Sequence, residues 1–163
     1  MEKMHKPSKI VFLDFDGVVR VIPSVEDDSR LIIPPPEFSK SKLSMLAEWC
    51  NAVGAKVVVS SDLREVNTLE ETDNKKEVLS WISPAMPEEL LHEDWCTPVR
   101  GPRHKEIEIW LNSHPEVVEY LVIDDTAVHF EDASPAMKNR LILTSNRFGL
   151  LPKHESFFFH RLG

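Results

Sequence analysis

Residues 10–17, with the sequence IVFLDFDG, join a continuous apolar run to an acidic turn. An apolar run with no polar residue inside it is typical of a central parallel strand, which is buried on both faces. The run stops abruptly at Asp14, and Gly17 favours a tight turn directly after it. The pattern predicts a buried strand whose carboxyl end carries Asp14 and Asp16.

Three further runs in the chain are short and dominated by apolar residues: 56–59 (KVVV), 120–123 (YLVI) and 141–143 (LIL). The first stops at Ser60 and the second at Asp124 and Asp125, so three predicted strands end in oxygen-bearing side chains. Residues 156–159 (SFFF) supply either a fifth strand or a terminal apolar tail that packs on the core.

Segments with helical apolar spacing lie between these runs: near 40–52, after Ser61 or Asp62, and from about Lys105 to Pro115. Strands that alternate with helices predict an α/β fold, a Rossmann-like parallel sheet of about five strands flanked by helices. Two proline-rich intervals, 18–37 and 83–102, are predicted to be loops or a small flap, which leaves minimal cap insertions. We expect a single domain over 1–163, with a core at about 9–151 and a tail at 152–163.

The charge of the chain narrows the class of protein. Its 27 acidic and 19 basic side chains give a formal charge of −8, which argues against autonomous, non-specific binding to nucleic acid or to a membrane. Residues 1–10 contain no apolar run of the length that a secretory signal needs, so we expect a cytoplasmic protein. Cys50 and Cys96 are expected to be reduced thiols.

The carboxyl ends of parallel strands form the ligand-binding edge of an open α/β sheet. We therefore expect the side chains that follow the strands to share one site: Asp14, Asp16, Ser60, Asp124 and Asp125. Clustered carboxylates repel one another, and the usual remedy is a hard divalent cation such as Mg²⁺, which also takes water and phosphate oxygens as ligands. Basic residues cluster at Arg100, Arg103 and Lys105, where they could offset the charge of a bound phosphate.

In the same order along the chain, these residues resemble the four motifs of the haloacid dehalogenase-like (HAD) superfamily. Residues 11–18 (VFLDFDGV) resemble its first motif and residues 57–60 (VVVS) its second; Arg103 resembles its third and residues 122–125 (VIDD) its fourth. Within that superfamily, the chain resembles the small, capless domain of Swiss Army knife RNA-repair proteins. That narrower resemblance is carried by three segments, 60–64 (SSDLR), 103–107 (RHKEI) and Gly149-Leu150, and the whole resemblance spans roughly 9–151.

The resemblance implies a magnesium-dependent phosphohydrolase with an aspartyl-phosphate intermediate. Asp14 would be the nucleophile, and Asp16 would be the general acid and base. Ser60 would donate a hydrogen bond to a phosphate oxygen, and Arg103 would offset its charge. The implied metal ligands are Asp14, Asp125, the backbone carbonyl of Asp16, and Asp124 through water or as a support for another ligand.

Simpler interpretations of the same residues stay open. An Asp-x-Asp-Gly segment can be an ordinary turn, and Ser60 with Ser61 can cap the following helix. Lys105 competes with Arg103 for the charge-offsetting role. The candidate substrate contacts are Ser61, Arg64, Arg100 and Lys105, with Trp95 as a stacking partner at the rim.

The length of the chain leaves no room for a cap domain, a second domain that would cover the site. We therefore expect an open site, which favours a phosphate at the end of a large molecule such as RNA, DNA or a phosphoprotein. Two alternatives are a phosphatase of small metabolites, enclosed by residues 18–37, and a catalytically silent module that binds phosphate or protein. A third is end-processing of nucleic acid together with partner chains.

Residues 92–96 (HEDWC) contain possible zinc ligands. No second pair at metal-ligand spacing accompanies them in the sequence, so a solvated loop is the favoured interpretation.

Overall fold

A computed structural model of the protein describes residues 8–23, 34–62 and 71–163. Its strands are β1 (Ser8–Leu13), β2 (Arg20–Val21), β3 (Glu37–Phe38), β4 (Ala55–Val59), β5 (Leu91–Cys96), β6 (Val117–Asp124) and β7 (Leu141–Leu143). Its α-helices are α1 (Lys40–Val53), α2 (Glu71–Ile82), α3 (Arg103–Asn112), α4 (Pro135–Lys138) and α5 (Glu155–Leu162).

Five strands form one parallel sheet in the order β5-β4-β1-β6-β7. The predicted α/β fold, a Rossmann-like sheet flanked by helices, is thereby confirmed. Strand β1 is central because it pairs with β4 on one side and with β6 on the other, so that Phe12 lies between Val58 and Val122. A strand in this position has no solvent-exposed face, which explains the uninterrupted apolar run in the sequence.

The two faces of the sheet carry separate hydrophobic clusters. On one face Val11 and Leu13 pack with buried residues of α1, α2 and α5. On the other face Ile10 and Phe12 pack with Ile107 and with neighbours from α3, α4 and the turn before α4. Alternate residues of β1 therefore point to opposite faces, as the two-residue period of a strand requires.

The fifth strand of the sheet is β5, whereas residues 156–159 belong to helix α5. The interpretation of 156–159 as a strand was wrong because a run of three phenylalanines has no clear period. In α5, Phe158 and Leu162 lie one turn apart and both are fully buried. The second interpretation, an apolar segment that packs on the core, is confirmed in helical form.

The interval 83–102 was predicted to be a loop, but it contains β5. This strand escaped prediction because it is an edge strand, paired irregularly on one side with β4, and its middle residues are polar and exposed. Trp95 lies in β5 with 3% of its surface exposed, so the prediction that it lines the mouth of the site was wrong.

The interval 18–37 was predicted to be a loop or a small flap, and it contains a short antiparallel strand pair, which we call the flap. Strands β2 and β3 pair antiparallel, with Arg20 opposite Phe38, and residues 24–33 between them lie outside the described residues. Helix α1 begins where Ser39 accepts a hydrogen bond from the Lys42 amide and ends before Gly54, close to the predicted bounds. The predicted start of the next helix falls within 63–70, which is also outside the described residues.

Two further findings concern the cysteines and the length of the helices. Cys50 and Cys96 are both free. Among the described residues, every helix is too short or too polar to span a bilayer.

Candidate active site

Asp14 and Asp124 lie next to each other because they end or follow two neighbouring strands in register, β1 and β6. Together with Asp125 they offer three carboxylate oxygens that lie within 4.8 Å of one another. Asp14 and Asp124 are buried, and Asp125 is half-buried. The Phe15 amide donates to Oδ1 of Asp14 at 2.9 Å, which fixes the carboxylate at the start of the turn.

Arg103 is a buried cation that faces this cluster. Helix α3 begins at Arg103, and its Nη1 lies 2.9 Å from Asp124 Oδ2 and 3.3 Å from Asp14 Oδ1. Its Nη2 lies 3.3 Å from Asp62, and its Nε lies 3.8 Å from Glu106. Burial alone would lower the Arg103 pKa, but the surrounding carboxylates outweigh it and raise that pKa, so the guanidinium stays charged.

One guanidinium does not neutralise all the negative charge at this site. Burial and the charge of Asp124 raise the pKa of Asp14 to about 8, although Arg103 acts in the opposite direction. Burial also raises the pKa of Asp124, against the opposing effect of Arg103. Both carboxyl groups are therefore destabilised as anions, and a bound cation would relieve this cost.

Gly17 permits the close approach between the turn after β1 and Asp125. Its φ of +74° is unfavourable for other residues, and a Cβ at this position would lie 2.1 Å from Asp125 Oδ2. Thr144, which directly follows β7, donates its hydroxyl to the Gly17 carbonyl, and the two oxygens lie 2.7 Å apart. On the other side of the cluster, Thr126 donates its amide to Asp124 and its hydroxyl to Asp125, both at 2.9 Å.

Ser60 follows β4 directly, and its amide donates to the carbonyl of Leu13 at 2.9 Å. Its side chain is fully buried, and Oγ has no hydrogen-bond partner among the described residues. A buried hydroxyl without a partner costs free energy, so an incoming oxygen ligand would be favoured at this position. Ser61, next in the chain, is buried as well.

Residues 10–154 match the sequence family described as the HAD domain in Swiss Army Knife RNA repair proteins. The chain belongs to this family. The match covers the strand ends that carry Asp14, Ser60, Arg103 and Asp125, and membership indicates a phosphohydrolase. No curated protein matches the chain.

Asp16 of the HAD domain lies apart from the three clustered carboxylates. Its side chain is 54% exposed and forms an ion pair of 2.5 Å with Arg20, four residues later. The expectation that all four aspartates share one cluster therefore holds for Asp14, Asp124 and Asp125, while the Asp16 carboxylate faces the β2 side. A four-residue offset predicts such a pair in a helix, whereas here a turn brings the two side chains together, since the Gly17 amide donates to the Arg20 carbonyl at 2.9 Å.

The predicted substrate contacts have different outcomes. Arg64 lies outside the described residues. Arg100 is exposed, and its amide donates to Glu106 at 3.0 Å. Lys105 is exposed on α3, whereas Arg103 contacts Asp14 and Asp124. The sequence analysis did not foresee that Asp62, Glu106 and Thr126 surround the same charges.

Proposed function

We propose that this HAD domain is a magnesium-dependent phosphohydrolase that forms an aspartyl-phosphate intermediate on Asp14. The observation that carries the proposal is the position of Asp14, whose carboxylate lies beside Asp125 and 3.3 Å from the Arg103 guanidinium. This arrangement combines a nucleophile with a fixed positive charge at the ligand-binding edge of the sheet.

The residues present fit Mg²⁺ because every donor in the cluster is a carboxylate oxygen and because the cluster carries uncompensated negative charge. Asp14 and Asp125 would hold the ion, together with the backbone carbonyl of Asp16. Asp124 would hold Arg103 in position instead of binding the ion directly, since Arg103 and the Thr126 amide already occupy its two oxygens. When bound, Mg²⁺ reduces the repulsion between a phosphate dianion and the carboxylates.

The chemical steps of the proposal are carried by Asp14 and Asp16. An oxygen of Asp14 forms a bond to phosphorus while the ester P–O bond breaks, and Asp16 gives its proton to the leaving oxygen. Asp16 then takes a proton from a water that attacks the phosphoryl group, and the bond between phosphorus and Asp14 breaks to release phosphate. Asp16 must leave Arg20 and take up a proton from solvent before it acts as the acid, and the exposed position of its side chain permits both.

Ser60 and Arg103 would hold the phosphate during both steps. The unpartnered Oγ of Ser60 would donate to a phosphate oxygen and thereby gain the hydrogen bond that it lacks. Arg103, fixed by Asp124 and Glu106, would keep its charge aligned without reorganisation.

Magnesium is expected to stabilise the folded domain, and Asp125→Ala is expected to remove that effect. A ligand that binds only the folded state at about 100 times its Kd contributes about 2.7 kcal/mol. For a chain of this size this corresponds to a rise in Tm of roughly 5–10 °C. The measurement is thermal unfolding with and without Mg²⁺, and the matched control is Asp132→Ala, which removes an exposed carboxylate. A shift that persists in Asp125→Ala would remove Asp125 from the metal site.

A groove beside the turn that follows β1 and carries Asp16 offers a place for the rest of a large substrate. It encloses about 420 Å³ and is lined by residues of the flap, α1 and the loop after β7, including Ile22, Phe38, Lys42, Arg147 and Phe148. The groove adjoins the turn because the Leu150 amide donates to the Val18 carbonyl at 2.8 Å. Phe148 is 55% exposed, and the Arg147 guanidinium lies 5.3 Å from the centre of its ring.

These features support a nucleic-acid end as the substrate. An exposed aromatic ring next to an arginine can stack a base and bind the adjacent phosphate. Phe148 therefore takes the role that the sequence analysis gave to Trp95, which is buried. The overall charge of −8 restricts such binding to a local basic contact, which Arg147 and Lys42 would supply.

Phe148→Ala is expected to lower kcat/KM for a phosphorylated oligonucleotide by roughly tenfold, since base stacking contributes about 1–3 kcal/mol. The kcat/KM for the matching mononucleotide is expected to change little, and Phe148→Trp should restore the preference for oligonucleotides. Val128→Ala, at an exposed apolar position outside the groove, is the control. If the wild type prefers mononucleotides and Phe148→Ala changes neither value, the domain is a phosphatase of small metabolites.

A further inference from the structure

A second group of possible metal ligands lies at the other end of β6 from Asp124. His92 and Asp94 belong to β5, and His114 and Glu116 precede the first residue of β6, Val117. His92, His114 and Glu116 each offer a ligand atom, and these atoms lie within 4.8 Å of one another. The fold thus brings to residues 92–94 the second pair of ligands that is absent from the neighbouring sequence.

The contacts of His114 place one of its ring nitrogens beside a carboxylate. Nδ1 of His114 lies 2.6 Å from the carbonyl oxygen of Trp110, which can only accept, so Nδ1 carries a hydrogen. In a neutral ring Nε2 then presents a lone pair, and it faces Asp94 Oδ2 at 3.1 Å. Two acceptors at this distance need a cation between them, either a second ring proton or a metal ion.

The surroundings of His114 are those of a typical metal ligand. A histidine that ligates a metal commonly donates its other ring N–H to a backbone carbonyl, as His114 does to Trp110. The Trp110 ring stacks on His114 with centroids 3.6 Å apart, and its Nε1 donates to the Asp94 carbonyl at 3.1 Å. The ring of His114 and the backbone of Asp94 are therefore held in place by one tryptophan.

His92 can join these ligands. The His92 ring meets the His114 ring edge-on, with centroids 5.3 Å apart, and its ligand atom lies within 4.8 Å of the ligand atoms of His114 and Glu116. Its Nδ1 accepts a hydrogen bond from the Asp94 amide at 2.9 Å. Because Asp94 is exposed on an edge strand, water can replace His92 as the acceptor for this amide.

We propose that His92, His114 and Glu116 bind one zinc ion, which ties edge strand β5 to the connection between α3 and β6, and that Asp94 completes the site. The Asp94 carboxylate lies 3.1 Å from His114 Nε2 but outside the group of three, so its exposed side chain must turn to become the fourth ligand. Two imidazoles and two carboxylates match the nitrogen and oxygen ligands and the four-coordination of zinc, whereas Mg²⁺ prefers oxygen ligands only. With four protein ligands the site is closed and therefore structural. The proposal is independent of the phosphohydrolase function, because its residues and the Asp14 cluster form two separate groups in the described part of the chain.

The test is a zinc titration of protein that has been stripped of metal with a chelator. Calorimetry and metal analysis should show a zinc equivalent that raises Tm and that survives in Asp125→Ala, which alters the catalytic cluster. His114→Ala and Glu116→Gln should each weaken the binding of this equivalent by at least about tenfold. His160→Ala, which removes an exposed histidine from α5, is the matched control.

A second measurement identifies the ligand geometry. Substitution of Co²⁺ for zinc should give the visible absorption of a tetrahedral site in the wild type and in Asp125→Ala, and this absorption should be lost in Glu116→Gln. Glu116→Gln changes one partly exposed side chain, so it keeps the test valid if His114→Ala fails to fold. Absence of zinc binding in the wild type, equal affinity in Glu116→Gln, or loss of all binding in Asp125→Ala would overturn the proposal.

Discussion

Asp14→Asn is expected to lower phosphate release by at least about a thousandfold, because a neutral amide cannot form the aspartyl-phosphate intermediate. The folded structure should persist. Asparagine retains the oxygen that accepts the Phe15 amide at 2.9 Å, and it has nearly the same shape as aspartate. Release of phosphate from a phosphorylated oligonucleotide and from a small aryl phosphate measures the effect. Full activity in a folded Asp14→Asn protein would show that Asp14 is not the nucleophile.

The same substitution is expected to stabilise the metal-free domain at neutral and higher pH. Burial, then the charge of Asp124, raises the pKa of Asp14 from 3.8 to about 8 in the folded state, despite the opposing effect of Arg103. Between these values the folded chain binds more protons at Asp14 than the unfolded chain does. The stability of the metal-free wild type should therefore fall as pH rises from about 4 to about 8, and Asp14→Asn should lack this contribution.

Thermal unfolding in the presence of a chelator checks the pH dependence. At pH 8 the Tm of Asp14→Asn should exceed that of the wild type by several degrees, and near pH 4 the two values should converge. Asp132→Asn is the control, since it removes a charge from an exposed position and should leave the pH dependence as in the wild type. Equal Tm values for wild type and Asp14→Asn at pH 8 would show that the Asp14 carboxylate is not destabilised by its surroundings.

The sequence predicted the centre of the sheet better than its edge. Residues 10–13 of β1, 57–59 of β4 and 121–123 of β6 are buried on both faces, so these apolar runs are visible without any knowledge of the fold. Among the described strands, β5 has one neighbour, β4, and its exposed residues Glu93 and Asp94 interrupt the apolar pattern. Its position follows from long-range pairing with β4, which local composition does not encode.

In the candidate site, too, some features were predictable from the sequence and others were not. Positions at strand ends were predictable because parallel strands bring their carboxyl ends to one edge, and Asp14, Ser60 and Asp124 lie there. The partners of each charge were not predictable where they come from distant segments. Asp62 and Asp124 meet Arg103 only in the folded chain. The proposed zinc ligands are a further case, since α3 separates His114 from β5.

Arg103→Met is expected to destabilise the domain more than the loss of any exposed charge would. Arg103 lies against the buried carboxylates of Asp14, Asp124 and Glu106, at 2.9 to 3.8 Å. Removal of one partner from a buried ion pair typically costs about 3–5 kcal/mol, because it leaves uncompensated charge. Methionine keeps most of the length and apolar volume of the arginine stem, so the loss isolates the effect of charge. The expected fall in Tm is roughly 10 °C, and phosphate release should fall with it.

Two further variants separate the charge of Arg103 from its geometry and decide which basic residue offsets the phosphate. Arg103→Lys keeps the charge but loses the planar fork that reaches Asp14, Asp124 and Asp62 together, so it should recover part of the stability and part of the activity. Lys105→Met removes an exposed charge two residues away and should change the free energy of unfolding by no more than about 0.5 kcal/mol. The measurements are unfolding in urea and phosphate release, made on all three proteins. If Lys105→Met lost activity while Arg103→Met kept it, the assignment would be reversed, because Lys105 on the exposed face of α3 would then offset the phosphate charge.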